Sequence, residues 1–109
     1  MTEESCETYW IKIYIAGPIE VAKQIIREEC YREGLCATIE PTDFIYTGGE
    51  EKGYVVGLIN YPRFPASKES IWQRSEIVLN LLLDKTYQKS ALMMSPTNTK
   101  WISKKEKDD

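Results

Sequence analysis

The sequence predicts an α+β fold of the ferredoxin-like βαββαβ type. The expected sheet has four antiparallel strands in the order 4-1-3-2, with two helices on one face. Three observations predict it. Residues 10–16 and 54–61 alternate in the manner of half-buried strands. Each is followed by a helical segment without internal breakers. Between the first helix and the second of these strands lies a further strand closed by a glycine-rich hairpin loop.

The elements follow in order. In the opening strand Ile11, Ile13 and Ile15 share one face, and Trp10, Lys12 and Tyr14 share the other. Gly17-Pro18 ends it and sets up a helix over residues 18–33, which Gly34 closes as a C′ residue. Val21, Ala22, Ile25, Ile26 and Cys30 form the apolar arc of that helix. Glu29 falls in the same arc, either snorkelling outward or serving as a buried carboxylate. Residues 35–39 and 44–46 read as a second strand interrupted at residues 40–43, and Pro41 implies an edge position or a bulge. Residues 47–53 read as the hairpin loop and 54–61 as the third strand. Ser67 caps a second helix over residues 67–88, and Glu69 suits its first turn. Its apolar stripe (Ile71, Ser75, Val78, Leu79, Leu82, Leu83) is broader than one sheet face requires, so a terminal segment or another subunit should cover the excess. Residues 91–94 form a short fourth strand. Residues 1–8 are expected as a flexible leader, 9–102 as one domain and 103–109 as a charged flexible tail.

Composition narrows the function. The 109 residues are 42% apolar and carry 17 acidic against 14 basic side chains, a formal charge of −3. That sign disfavours a partner held by phosphate neutralisation. Three cysteines in no regular framework suggest reduced thiols and a cytoplasmic location, with Cys30 and Cys36 near enough in sequence to meet. The longest apolar run, residues 77–83, is broken by Asn80 and too short to span a bilayer, so no membrane partner is expected. The chain has no histidine, no zinc spacing and no phosphate-loop or nucleophile-elbow pattern. No catalytic residue, metal or cofactor is expected.

If Val55 and Ile59 point to the core, Tyr54 and Val56 join Trp10, Lys12 and Tyr14 on an uncovered sheet face. An aromatic, partly apolar face of this kind marks an interaction surface. The loop Tyr61-Pro62-Arg63-Phe64-Pro65 combines a restricted backbone with Tyr61, Arg63 and Phe64, residue types enriched in binding hot spots. The expected function is therefore non-enzymatic: a small cytoplasmic protein–protein interaction module of the adaptor or inhibitor type, with a protein partner or a homodimer. Its binding residues are Trp10, Lys12, Tyr14, Tyr54, Val56, Tyr61, Arg63 and Phe64.

Two resemblances supply alternatives. Ile13-Tyr14-Ile15 and Lys52-Gly53-Tyr54 resemble the two sheet motifs of RNA-recognition-motif proteins over about a dozen residues, with Val56 where that family has a second aromatic. This implies single-stranded RNA or DNA stacking on Tyr14 and Tyr54, with Lys12, Lys52 and Arg63 near the backbone. Residues 12–18 are also similar to the first strand of nucleoside 2-deoxyribosyltransferases, which implies an enzyme of α/β fold.

Overall fold

A computed structural model describes residues 1–104. The elements are β1 (Trp10–Ala16), α1 (Ile19–Glu33), β2 (Ala37–Tyr46), β3 (Gly49–Ile59), α2 (Lys68–Lys85), β4 (Ser90–Met94) and β5 (Thr99–Ser103). They form an α+β fold with two helices and one five-stranded sheet, ordered β2-β3-β1-β4-β5 and antiparallel at every pairing. The expectation of four strands is corrected: a fifth is added beside β4. Residues 95–98 permit it, because the Ser95 hydroxyl accepts from the Thr97 and Asn98 N–H groups (3.2 and 3.0 Å) and turns the chain back. Ser103 closes β5, and the Lys104 N–H donates to the Lys89 carbonyl (2.7 Å). The rest of the expected tail, residues 105–109, lies outside the described residues.

Helix boundaries follow their punctuation. Pro18 stands at the N-cap of α1, and Gly34 ends the helix at φ 51°, a conformation costly for other residues. The Ser67 hydroxyl accepts from the Ser70 N–H (3.1 Å) and starts α2. Pro41 does not split β2. At the sheet edge its missing N–H costs no ladder bond, and ten residues pair without a break. The loop expected over 47–53 contracts to a turn at Thr47-Gly48, where Gly48 takes φ 86° and Tyr46 faces Gly49. Since β1 pairs with β3 only from Gly53 onward, the tip of this hairpin overhangs the sheet.

Register decides which face is covered. Ile11, Ile13 and Ile15 lie opposite Leu58, Val56 and Tyr54, and opposed residues project to the same side. All six are buried beneath the helices, together with Leu79, Leu82 and Met93. Each fully buried side chain of this size contributes about 2 kcal/mol. Tyr54 and Val56 are therefore core residues, and the expectation that they share the uncovered face with Tyr14 is corrected. The reason is volume. The alternative set, Val55, Gly57 and Ile59, offers two aliphatics and a glycine, whereas Tyr54, Val56 and Leu58 fill the space under α2. Gly53 serves the same close packing. A Cβ there would run into the Ile15 carbonyl and the Phe44 ring.

The excess of the α2 stripe is absorbed within the chain. Ile71, Val78, Leu79, Leu82 and Leu83 are buried, and Ser75 satisfies its hydroxyl on the Ile71 carbonyl (2.8 Å). Trp101 lies in the edge strand β5. It stands opposite Leu92 and remains exposed.

The Tyr54 hydroxyl approaches Thr86 but completes no hydrogen bond, and burial pushes it up to about 12. A tyrosine in the unfolded chain ionises near 10, so between the two values the folded state keeps a proton that the unfolded state has released. Its contribution is thus whole below about pH 10 and falls by about 2–3 kcal/mol as pH rises toward 12. We expect Tyr54→Phe to leave stability at pH 7 unchanged or raised by up to about 1 kcal/mol, and to blunt the alkaline loss. Urea denaturation at pH 7 and pH 11 checks both. A loss above about 2 kcal/mol at pH 7 contradicts an unpartnered hydroxyl.

Candidate functional site

The residues proposed from sequence do not form one site. Tyr54 and Val56 are in the core. Trp10, Lys12 and Tyr14 stand on the uncovered sheet face, with the Lys12 ammonium 5.5 Å from the Trp10 ring centroid. A shallow depression of about 320 Å³ lies on that face, bounded by Tyr14, Phe44, Tyr46, Glu51, Leu92 and Trp101. Tyr61, Arg63 and Phe64 lie elsewhere, in the connection between β3 and α2.

That connection forms one wall of a larger cavity of about 450 Å³. Its other walls are Gly34, Leu35 and Cys36 after α1, Leu58 and Ile59 at the end of β3, and Ser70 and Arg74 on α2. The loop is built to hold its shape. The Phe64 N–H donates to the Tyr61 carbonyl (2.8 Å), and the two rings lie 6.2 Å apart. The Arg63 guanidinium sits 5.7 Å from the Phe64 centroid. Asn60 accepts from the Ala66 N–H on its side-chain oxygen (3.0 Å), bridging the base of the loop. An apolar hollow with few polar groups, at the meeting of a helix end, a strand end and a stiff loop, is the form small-molecule sites take.

Arg74 is the charged group of this cavity. Its Nη1 donates to the Glu33 and Gly34 carbonyls (3.2 Å each), capping the end of α1 from α2. Its Nε and Nη2 have no hydrogen-bond acceptor, although Nη2 lies 3.8 Å from a Glu29 oxygen. Glu29 itself is only 4% exposed. Arg32 grips it with both nitrogens of its fork (3.0 and 2.6 Å), so its charge is already committed. Of the two readings open for Glu29 in the sequence, the structure therefore shows a buried carboxylate rather than a snorkelling one. Arg74 went unnoticed in the sequence. Its signal was an arginine between Ile71 and Val78, within the apolar stripe of α2.

The remaining reactive groups offer less. Cys6, Cys30 and Cys36 are free thiols. Burial, with the Cys36 thiol nearby, pushes Cys30 above its ordinary value and so away from the reactive thiolate. Among the described residues no cluster of His, Cys, Asp or Glu has the arrangement of a metal site. Among the described residues no helix is long and apolar enough to cross a membrane.

No family model and no curated protein matches this chain. Two solved structures share its fold. One is a phage SAM lyase in complex with S-methyl-5'-thioadenosine, with a TM-score of 0.74 and 15% identity over 94% of this chain and 95% of the other. The second is a phage SAM lyase in the apo state, with a TM-score of 0.70 and 17% identity over the same shares, 94% and 95%. At such identities the likeness is one of fold. It nevertheless corrects the expectation of a non-enzymatic adaptor or inhibitor, because chains folded this way from end to end include an enzyme. The structure also corrects particulars of the two resemblances. Base stacking on Tyr54 is barred by its burial, and the all-antiparallel sheet is not the α/β fold of a deoxyribosyltransferase.

Arg32 hydrogen bonds are the main cause holding Glu29 below its ordinary value of 4.5, with burial opposing them and the charges of Arg32, Arg74 and Lys85 adding to them. A depressed carboxylate stabilises the fold above pH 4.5, and that contribution is lost as pH falls through its folded value. Arg32→Ala should therefore destabilise the fold at pH 7, by less than the loss of a partner from a fully buried pair because Arg32 is half exposed. The deficit should shrink near pH 3, once Glu29 is protonated. Thermal melts across pH 3–7 check this, and a deficit independent of pH contradicts it.

Proposed function

We propose that this chain is an enzyme of the SAM-lyase type, which cleaves S-adenosylmethionine and releases S-methyl-5'-thioadenosine. The observation that carries the reading is the end-to-end fold likeness to a SAM lyase together with a cavity whose groups suit this substrate. The substrate has three recognisable parts: an adenine ring, a sulfonium and an amino-acid carboxylate. Apolar walls and the Tyr61–Phe64 pair suit the first two, since aromatic faces attract both rings and organic cations. Arg74, the positive charge of the cavity lining, attracts the carboxylate.

The chemistry also suits a chain without histidine. The bond to be broken joins sulfur to the aminobutyrate carbon chain. Its electron pair stays on sulfur, which leaves as a neutral thioether and needs no proton from a general acid. As the carbon–sulfur bond breaks, the fragment's own carboxylate oxygen bonds to the carbon and closes a lactone, so no proton changes hands. Positive charge disappears from sulfur as the bond breaks, so the protein's tasks are orientation and exclusion of water.

In this reading the architecture is a ferredoxin-like sandwich extended by one edge strand, and the enzyme works in the cytoplasm with its thiols reduced. A second copy of the chain is its protein partner. The overhanging β2–β3 hairpin, with Ile45 and Tyr46 exposed, supports self-association.

Incubation with S-adenosylmethionine, followed by chromatography and mass spectrometry, should detect S-methyl-5'-thioadenosine, and the mass of the four-carbon fragment identifies its fate. Phe64→Ala should lower kcat/KM about tenfold without changing the melting temperature, whereas Arg74→Ala should lower both. Unconsumed substrate at high protein concentration sinks the proposal. Sedimentation velocity should show an assembly larger than a monomer, and a strict monomer at micromolar concentration removes that part.

A further inference from the structure

The outer wall of the cavity belongs to the irregular connection between β3 and α2, residues 60–67, and one residue fastens it. Asn60 makes four hydrogen bonds. Its N–H donates to the Tyr9 carbonyl (2.8 Å), and its own carbonyl accepts from the Cys6 thiol (3.4 Å). Its side-chain Nδ2 donates to the Glu7 carbonyl (2.8 Å), and its Oδ1 accepts from the Ala66 N–H (3.0 Å). The acceptor end bridges residues 60 and 66, the two ends of the loop. The donor end ties that bridge to Glu7, and the Asn60 backbone ties it to Cys6 and Tyr9. No other uncharged side chain of this length carries a donor and an acceptor on one planar group. Aspartate keeps only the acceptor, and leucine keeps the shape with neither.

We propose that Asn60 is a positioning residue of the cavity, and that residues 6–9 act as a strap holding the Tyr61–Phe64 wall in place through it. Asn60 does not line the cavity. It acts by fixing where Tyr61 and Phe64 stand relative to Leu58 and Arg74, so the ordering of the loop precedes ligand binding. The inference rests on the reading that this cavity holds the thioadenosine-bearing ligand, and its structural half is tested without a ligand.

The test uses the full chain with S-methyl-5'-thioadenosine as the probe, titration calorimetry, and amide exchange at Ala66 by NMR. In Asn60→Leu the affinity should fall about tenfold, KM should rise in parallel, kcat should stay within about twofold, and Ala66 should lose its protection. In Asn60→Asp, Ala66 should stay protected while the affinity falls about threefold, because the side-chain bond to Glu7 is lost while the backbone bonds to Cys6 and Tyr9 remain. Unchanged affinity in both variants, or a loss confined to kcat, overturns the proposal. If the unaltered chain binds no thioadenosine, the functional reading above fails. The exchange pattern then decides alone: protection lost in leucine and kept in aspartate supports a positioned loop, and equal protection in both overturns it. If the leucine variant does not fold, unchanged affinity in the aspartate variant overturns the strap.

Discussion

The pairing of β1 with β3 in the register Ile15 opposite Tyr54 is the constraint from which the rest of the molecule follows. It sets three isoleucines beside Tyr54, Val56 and Leu58 and directs all of them at the helices. A slip by one residue would turn Val55, Gly57 and Ile59 inward and leave Tyr54 in water. Gly53 guards this register from the other side, since it alone lets the Ile15 carbonyl and the Phe44 ring come so close. The position of the cavity depends on the same pairing. Leu58 and Ile59 reach its floor only because β3 runs that far alongside Trp10 and Ile11.

Much of this architecture was legible. Alternation in residues 10–16, the punctuation at Pro18, Gly34 and Ser67, and the edge proline at Pro41 located the first four strands and both helices. Alternation alone does not say which of two faces is inward when both carry apolar residues, and residues 54–59 are such a case. Only cross-strand register settles it, and register is a property of two segments. The fifth strand was obscured for a different reason. Residues 99–103 are mostly exposed at a sheet edge, so selection for an apolar pattern there is weak.

The candidate site was half legible. Residues 61–65 stood out because two prolines and two aromatics in five residues are unusual in a simple connection. The cavity they enclose depends on Arg74 and on the end of α1, which topology brings together from distant parts of the chain. Glu29 was visible as a carboxylate on an apolar arc. Its burial needed Arg32 one turn on, a spacing present in the sequence, and Arg74 across the helix interface, which was not.

Arg74 also ties the cavity to the body of the protein. One nitrogen closes the end of α1, and the same guanidinium forms part of the cavity wall. Replacing it to accept a different ligand would unfasten two helices at the same time. The 61–66 loop carries no such double duty. A lineage built on this scaffold is therefore free to reshape the cavity along the loop, while the arginine in its wall stays frozen by its structural obligation.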